Sequence, residues 1–364
     1  MRGTVFRYVL AVYVQYVVAI FLAVLAIFLI ADFADRVKVF TDKAWSDVAL
    51  LYWNKLLVTA QQLGPAALLL GGSAGVSTLR KRGELTALKA LAFPPGALYW
   101  PVGLCALVAA LGFVAFDEYV VTRASAQVDE IQFTRFHSWG DWNRWFRRHQ
   151  WFRRDERIFY LRGGDEERGF EDVTILTISN EFRLSERIDA NRMAHVEGTR
   201  WRLRAAVDRR FDPPGAGVTT ADEAIFDLGA PADAFHIRAG RPEQMQVGEL
   251  TEQIEARRLA GLSTQPFILA LHNRFAYPLT GFAAALLAVG IALRPGRKGH
   301  LTVALVEGLT IAVALWGMMV VGKALTIAGH VPAAAAAWGP FTVLVGAAIV
   351  VWLRREGKLG WSGI

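Results

Sequence analysis

The chain has 364 residues, a formal net charge of +7, and 54% apolar residues, an excess over the usual soluble domain. Its lone cysteine, Cys105, excludes a disulfide framework. The basic excess is local. The stretch 122–265 holds 22 Arg and no Lys against 24 Asp and Glu, while the rest of the chain holds 18 basic and 9 acidic residues. The excess therefore lies beside the apolar segments and does not make a nucleic-acid surface.

Six segments have the roughly 20 mostly apolar residues needed to span a bilayer. They fall at about 8–30, 48–79, 96–121, 266–293, 301–327 and 331–353. The first is too long, and lacks the small-residue cleavage site, to be a signal peptide. Arg2 and Arg7 precede the first span. Arg80, Lys81, Arg82 and Lys89 lie between the second and third, Arg294, Arg297 and Lys298 between the fourth and fifth, and Arg354, Arg355 and Lys358 after the sixth. Six spans put all of these on one side, which the positive-inside rule makes cytoplasmic. Both termini are then cytoplasmic and the polar insertion lies outside.

Within the spans, charge is costly and calls for partners. Asp117 and Glu118 end the third span, Arg274 lies early in the fourth, and Glu307 lies in the fifth. Two readings are open for Arg274 and Glu307: a network holding helices together, or the lining of a polar cavity. Lys55 and Lys323, near outer ends, are expected to snorkel to the interface.

Between the second and third spans, residues 79–92 read as a short amphipathic helix with Leu85, Leu88 and Leu91 on one face, ended by Pro94 and Pro95. Such a helix suits docking into a groove on a soluble partner, or simply anchors topology.

The insertion reads as β-structure. Short alternating runs at 158–161, 173–178, 182–184, 201–203, 225–228 and 235–237 suggest an antiparallel sandwich or open jelly roll, with Gly163 and Gly164 marking a turn. Residues 247–262 carry Leu250, Ile254 and Leu262 at helical spacing and lead into the fourth span. The domains are expected at 1–121, 122–262 and 263–364. From Trp139 to Arg154 aromatics and arginines interleave, including Trp142, Arg144, Arg147 and Arg148. This stretch suits contact with anionic lipid headgroups. An edge segment of the sheet with inward aromatics is the favoured alternative.

No phosphate-binding loop, zinc-protease motif, Cys–His cluster or nucleophile elbow is present. Neither a cofactor nor a catalytic metal is expected, and an enzyme is disfavoured. Residues 82–90, Arg-Gly-Glu-Leu-Thr-Ala-Leu-Lys-Ala, resemble the Arg-Ser-Glu-Leu-x-Ala-Leu-Arg-Ala segment of the LptF/LptG lipopolysaccharide-export permeases. Arg7-Tyr8, the run Gln62 to Gly71, Arg274 to Leu279, Val331-Pro332 and Ala336 to Pro340 are similar to further family segments, in the same order.

The resemblance implies a membrane α-helical bundle with an inserted periplasmic all-β jellyroll-like domain, set in the bacterial inner membrane. It implies a subunit of an ATP-binding-cassette exporter with a second permease of the LptF type, an LptB-type ATPase dimer, an LptC-type protein and lipopolysaccharide as substrate. Glu84, with Arg80, Lys81, Arg82, Leu85, Leu88 and Lys89, would engage the ATPase. Arg36 and Lys38 at the outer end of the first span, with Arg274, would contact lipopolysaccharide. Asp32 stands about where a basic residue is expected, and Ala92 replaces the usual Gly after the coupling segment. The outer end of the first span and the 331–340 region resemble LptG. An LptF-type subunit and a non-transporting membrane-anchored sensor or scaffold are the alternatives.

Overall fold

The computed structural model describes residues 2–41, 43–90, 95–136, 150–154, 156–165, 169–179, 183–211, 217–231, 241–259, 262–294 and 300–355. They form two compact units, Met1–Phe136 with Leu269–Ile364, and His137–Ile268.

The first unit is helical. Its long helices are α1 (Arg2–Phe40), α2 (Trp45–Lys81), α4 (Tyr99–Phe116) running on into α5 (Thr122–Thr134), α7 (Gln265–Ala292), α8 (Leu301–Ile327) and α9 (Ala333–Arg355), with the short α3 (Glu84–Ala90) after α2. Five of these stretches are long and apolar enough to cross a membrane: Gly3–Phe40, Gly96–Gln132, Gln265–Ala292, Leu301–Ile327 and Ala333–Arg354. The sixth long helix, α2, is less apolar because much of its surface faces protein. Most of it from Thr59 to Leu79 is buried.

Small residues let the neighbours of α2 come close, as packing within a bilayer requires. A Cβ on Gly71 would overlap Val17 Cγ2 and stand 2.8 Å from Val17 Cα of α1. On α7, a Cβ on Gly281 would stand 2.7 Å from Pro65 Cα. Gly71→Ala is therefore expected to force α1 and α2 apart and cost ~1–3 kcal/mol. Adding Val17→Ala should restore only part of this, because the Val17 backbone is also in the way. Thermal unfolding of the single and double variants in detergent checks this, and an unchanged midpoint for Gly71→Ala would contradict it.

The expected boundary at residue 122 moves. The helix continues through a π-turn at Asp117–Val121 and α5 to Thr134. Beyond Val121 the segment turns polar, so hydropathy loses it, but Ala124, Val128 and Ile131 keep helical spacing. Ile131 is buried with Phe40, Val48, Leu51 and Phe136, and Val128 packs against this group. The rings of Phe33, Phe40 and Tyr52 join that cluster at centroid distances of 5.4–5.8 Å.

The second unit carries six strands: β1 (Gln150–Arg154), β2 (Arg157–Asp165), β3 (Gly169–Ile178), β4 (Leu184–Glu197), β5 (Arg200–Arg210) and β6 (Val218–Asp227). They form one antiparallel sheet in sequential order. The strands are longer than the expected short runs, and among the described residues they follow one another as an antiparallel meander. Gly163 and Gly164 are not a turn. They pair within the sheet with Glu171 and Phe170. The expected strand at 235–237 lies outside the described residues. Helix α6 (Val247–Leu259) follows, with Leu250 fully buried.

The sheet has one buried face, and each of four strands switches which side chains supply it. On β3, Phe170 and Val173 are buried while Glu171 and Asp172 between them are exposed. On β4 the same holds for Ala190 and Met193 around Asn191 and Arg192, and on β5 for Leu203 and Ala206 around Arg204 and Ala205. On β6, Ala221 and Ala224 are half-buried around exposed Asp222 and Glu223. Alternation has period two, so two successive outward residues invert its phase. The four inversions are aligned, since Glu171 pairs with Arg192, Arg192 with Arg204, and Arg204 with Glu223. The result is a single crease across the sheet that keeps one apolar face continuous. Asp172 and Ala205 take left-handed backbone there, φ 49° and 48°, at a cost of ~1–3 kcal/mol each. Phe159, Leu161, Phe170, Ile175, Met193 and Trp201 fill the buried face. The Trp201 indole N–H donates to the Ala230 carbonyl at 2.6 Å.

On the outer face, Asp189 accepts hydrogen bonds from the Arg187 guanidinium, from Thr174 at 2.8 Å and from Arg209. Partial burial raises its carboxyl, but these donors outweigh burial and hold it below the ordinary value. A depressed carboxyl stabilises the fold fully above the unfolded-state value of about 3.9 and loses that contribution as pH falls through the folded value. Acid titration of β-domain unfolding should therefore be shallower at its acid end in Asp189→Asn than in the unmodified chain. Superimposable titrations would contradict this.

Candidate coupling and substrate sites

Helix α3 is separate from α2. The chain breaks at Gly83, whose φ of +76° favours glycine. The Thr86 and Ala87 amides then donate to the Gly83 carbonyl at 3.0 Å. Leu85 is buried among Val9, Val12, Tyr13, Val76 and Leu79, so it seats α3 on the bundle and is not offered outward. Lys81, Arg82, Thr86, Ala87 and Ala90 are exposed, and Leu88 is half-buried. The Lys89 side chain lies outside what the structure describes.

Glu84 opens α3, and the Tyr8 hydroxyl of α1 lies 2.9 Å from both of its carboxylate oxygens. Arg82 stands at 4.0 Å. Arg80 donates to the Arg294 carbonyl at 3.0 Å, bringing the end of α2 to the end of α7. The sequence marks Glu84 and Tyr8 in separate segments, but nothing in it joins the two, which stand 76 positions apart.

At the far end of α1, Asp32 is a hub. It accepts from Tyr52 at 2.8 Å, pairs with Arg36 at 3.2 Å, and binds Lys55. The expectation that Lys55 snorkels gives way to this ion pair, since its side chain is 13% exposed. Lys38 is exposed. Nearby, Arg135 at the end of α5 pairs with Asp47 at the start of α2. The residue that departs from the expected pattern, Asp32, thus holds the basic groups of α1 and α2 together.

Arg274, on α7, has a side chain only 3% exposed. Its Nε lies 3.3 Å from Asp117 Oδ2 and its Nη1 3.3 Å from Glu118 Oε2. Of the two readings left open, this geometry realises the network. The π-turn widens the helix there, and the carboxylates of two successive residues both reach one guanidinium. Two residues before Arg274, His272 accepts at Nδ1 from the Trp338 indole N–H of α9 at 3.4 Å. Glu307, half-buried on α8, precedes Gly308, where an added methyl group would meet Leu70 of α2 at 2.7 Å. Of the Trp139–Arg154 stretch, Gln150–Arg154 form the edge strand β1, with Trp151 ring-packed on Tyr160 at 4.5 Å. Trp142, Arg144, Arg147 and Arg148 lie outside the described residues. No cluster of His, Cys, Asp and Glu able to hold a metal ion occurs among the described residues.

A sequence profile of the lipopolysaccharide export system permease LptF/LptG family matches residues 7–355. The chain belongs to this family. The match runs from α1 to the end of α9 and includes the β-domain, so helices and insertion are one inherited unit. The permease is an inner-membrane component of a lipopolysaccharide exporter and not itself an enzyme. No curated protein gives a significant match.

Proposed function

We propose that this permease is the LptG-type subunit and that an LptB-type ATPase dimer drives it through α3. The seating of α3 carries this reading. One face is held by Leu85, Glu84 is bonded to α1, and a basic and small-residue face from Lys81 to Ala90 is left exposed. A short helix tied to two long ones passes a push on its outer face to both. The basic residues beside the spans support cytoplasmic termini and a periplasmic β-domain. In this orientation Arg36 and Lys38 meet the acidic glycolipid at the outer surface. The Asp32 hub holds Arg36 ready, and an incoming phosphate competes for it. Arg274 acts from within, by fixing α7 to the π-turn. The β-domain passes lipopolysaccharide on to an LptC-type protein, and Trp142 to Arg148 contact lipid headgroups.

The LptG assignment is supported by the acidic outer end of α1 and by the Val331 to Pro340 segment. Purification in mild detergent tests the reading. An LptB-type ATPase and a distinct LptF-like permease are expected with the chain. A companion that is itself LptG-like would reassign this chain to the LptF type. Recovery of no ATPase, with no lipopolysaccharide crosslinking anywhere in the chain, would leave a sensor or scaffold instead.

A further inference from the structure

Three helices of the bundle depart from regular hydrogen bonding, and they do so at one place. α2 carries Pro65 and α7 carries Pro278, each inside its helix. Proline has no amide hydrogen, so the carbonyls four residues back, those of Gln61 and Arg274, lose their usual helical donor. α4 passes into α5 through the π-turn Asp117–Val121. Bends in long helices concentrate at prolines and π-turns.

Four contacts join these weak points to one another. Tyr277, next to Pro278, donates its hydroxyl to the Gln62 carbonyl of α2. Gly281 of α7 lies directly on Pro65, where an added Cβ would stand 2.7 Å from the proline Cα. A Cβ on Gly64 would stand 2.5 Å from Phe113 Cζ of α4, about one turn before the π-turn. Arg274 closes the circuit from α7 to Asp117 and Glu118.

Towards α3, α2 and α7 stay locked together. A Cβ on Gly72 would stand 3.3 Å from the Ala285 carbonyl oxygen and 3.4 Å from Ala288 Cβ. Tyr13 of α1 donates to the Leu68 carbonyl at 3.3 Å. Arg80 bonds the Arg294 carbonyl at 3.0 Å. The part of α2 after Pro65 and the part of α7 after Pro278 therefore form one block that ends at α3.

The geometry points to a pivot at Pro65, Pro278 and the π-turn, about which this block swings against the outer halves of the helices when α3 is pushed. The inference rests on the coupling reading and adds to it the place where a push becomes a bend. Each missing amide leaves one backbone hydrogen bond fewer to resist bending. Tyr277 is a positioning residue, since its hydroxyl keeps the two proline points in step.

The test compares two double variants in proteoliposomes containing the co-purified ATPase. Pro65→Ala with Pro278→Ala restores both amides in a good helix former. Pro65→Gly with Pro278→Gly restores them too but leaves the backbone free to bend. Lipopolysaccharide release by the alanine pair should fall at least ~tenfold, the scale of two restored hydrogen bonds resisting the bend, while ATP hydrolysis continues. The glycine pair should keep most of its release although it melts at the lower temperature. A purely packing role gives the opposite order, because glycine also removes the Pro65 Cβ that faces Gly281. Equal release by the two pairs, or less from the glycine pair, would overturn the pivot. Tyr277→Phe removes only the hydroxyl tie and should lower release about fivefold, the scale of one hydrogen bond; parental release would overturn its positioning role. Glu84→Lys separates the two readings. Export lost in Glu84→Lys but parental in the alanine pair means that the pivot alone has failed. Parental export in both brings down coupling through α3 itself.

Discussion

Replacement of Glu84 by lysine is expected to abolish lipopolysaccharide export. Glu84 makes two connections at once. Its carboxylate holds the Tyr8 hydroxyl of α1, and it sits in the first turn of α3, where negative charge is favoured. Lysine reverses that charge, loses the Tyr8 hydrogen bond, and adds a cation next to Lys81 and Arg82. In proteoliposomes containing the co-purified ATPase, lipopolysaccharide release by Glu84→Lys should fall by at least ~100-fold, equivalent to about 2.7 kcal/mol, while ATP hydrolysis continues. Glu84→Gln keeps an acceptor for Tyr8 and should retain partial release. Tyr8→Phe removes only the tie to α1, so it separates force transmission from ATPase docking. Wild-type release by Glu84→Lys would remove α3 as the point of coupling.

Arg274→Met should cause the largest loss of stability of any single change in the bundle. It leaves Asp117 and Glu118, side by side and 14% and 19% exposed, without their guanidinium. Breaking a buried pair by removing one partner costs ~3–5 kcal/mol. Arg274→Lys should recover part of the loss, because an ammonium offers no planar fork to two carboxylates. The combination Arg274→Met, Asp117→Asn and Glu118→Gln should recover most of it, since no uncompensated charge remains. Thermal unfolding in detergent, followed by tryptophan fluorescence, measures all three. A midpoint for Arg274→Met within a degree of the parent would mean that solvent already reaches the carboxylates.

The helical bundle is legible in the sequence because each long apolar run announces itself, and the basic loops order the runs. Helix α5 is not legible in the same way. Its polar composition looks extramembranous, and only the Ala124, Val128, Ile131 spacing betrays a helix continuing past the apolar stretch. Glu84 is legible through its motif, whereas Tyr8, Tyr52 and Lys55 become site residues only through contacts across helices. Lys55 read alone is a basic residue near a helix end, and the pairing with Asp32 needs α1 and α2 side by side. In the β-domain alternation reveals the strands, but it breaks in mid-strand and so makes them look short. The breaks at Glu171-Asp172, Asn191-Arg192, Arg204-Ala205 and Asp222-Glu223 each lie between two inward residues three positions apart. Only when the four are aligned by strand pairing do several short runs become four long creased strands.

That crease also governs which lengths of chain the β-domain can accept. Deleting one residue within the crease of a single strand would turn half of that strand inside out against three neighbours that keep their frame. Insertions and deletions among homologues should therefore collect at the hairpin tips and spare the crease. Where a crease residue is missing from one strand, its counterparts in the other three should be missing too.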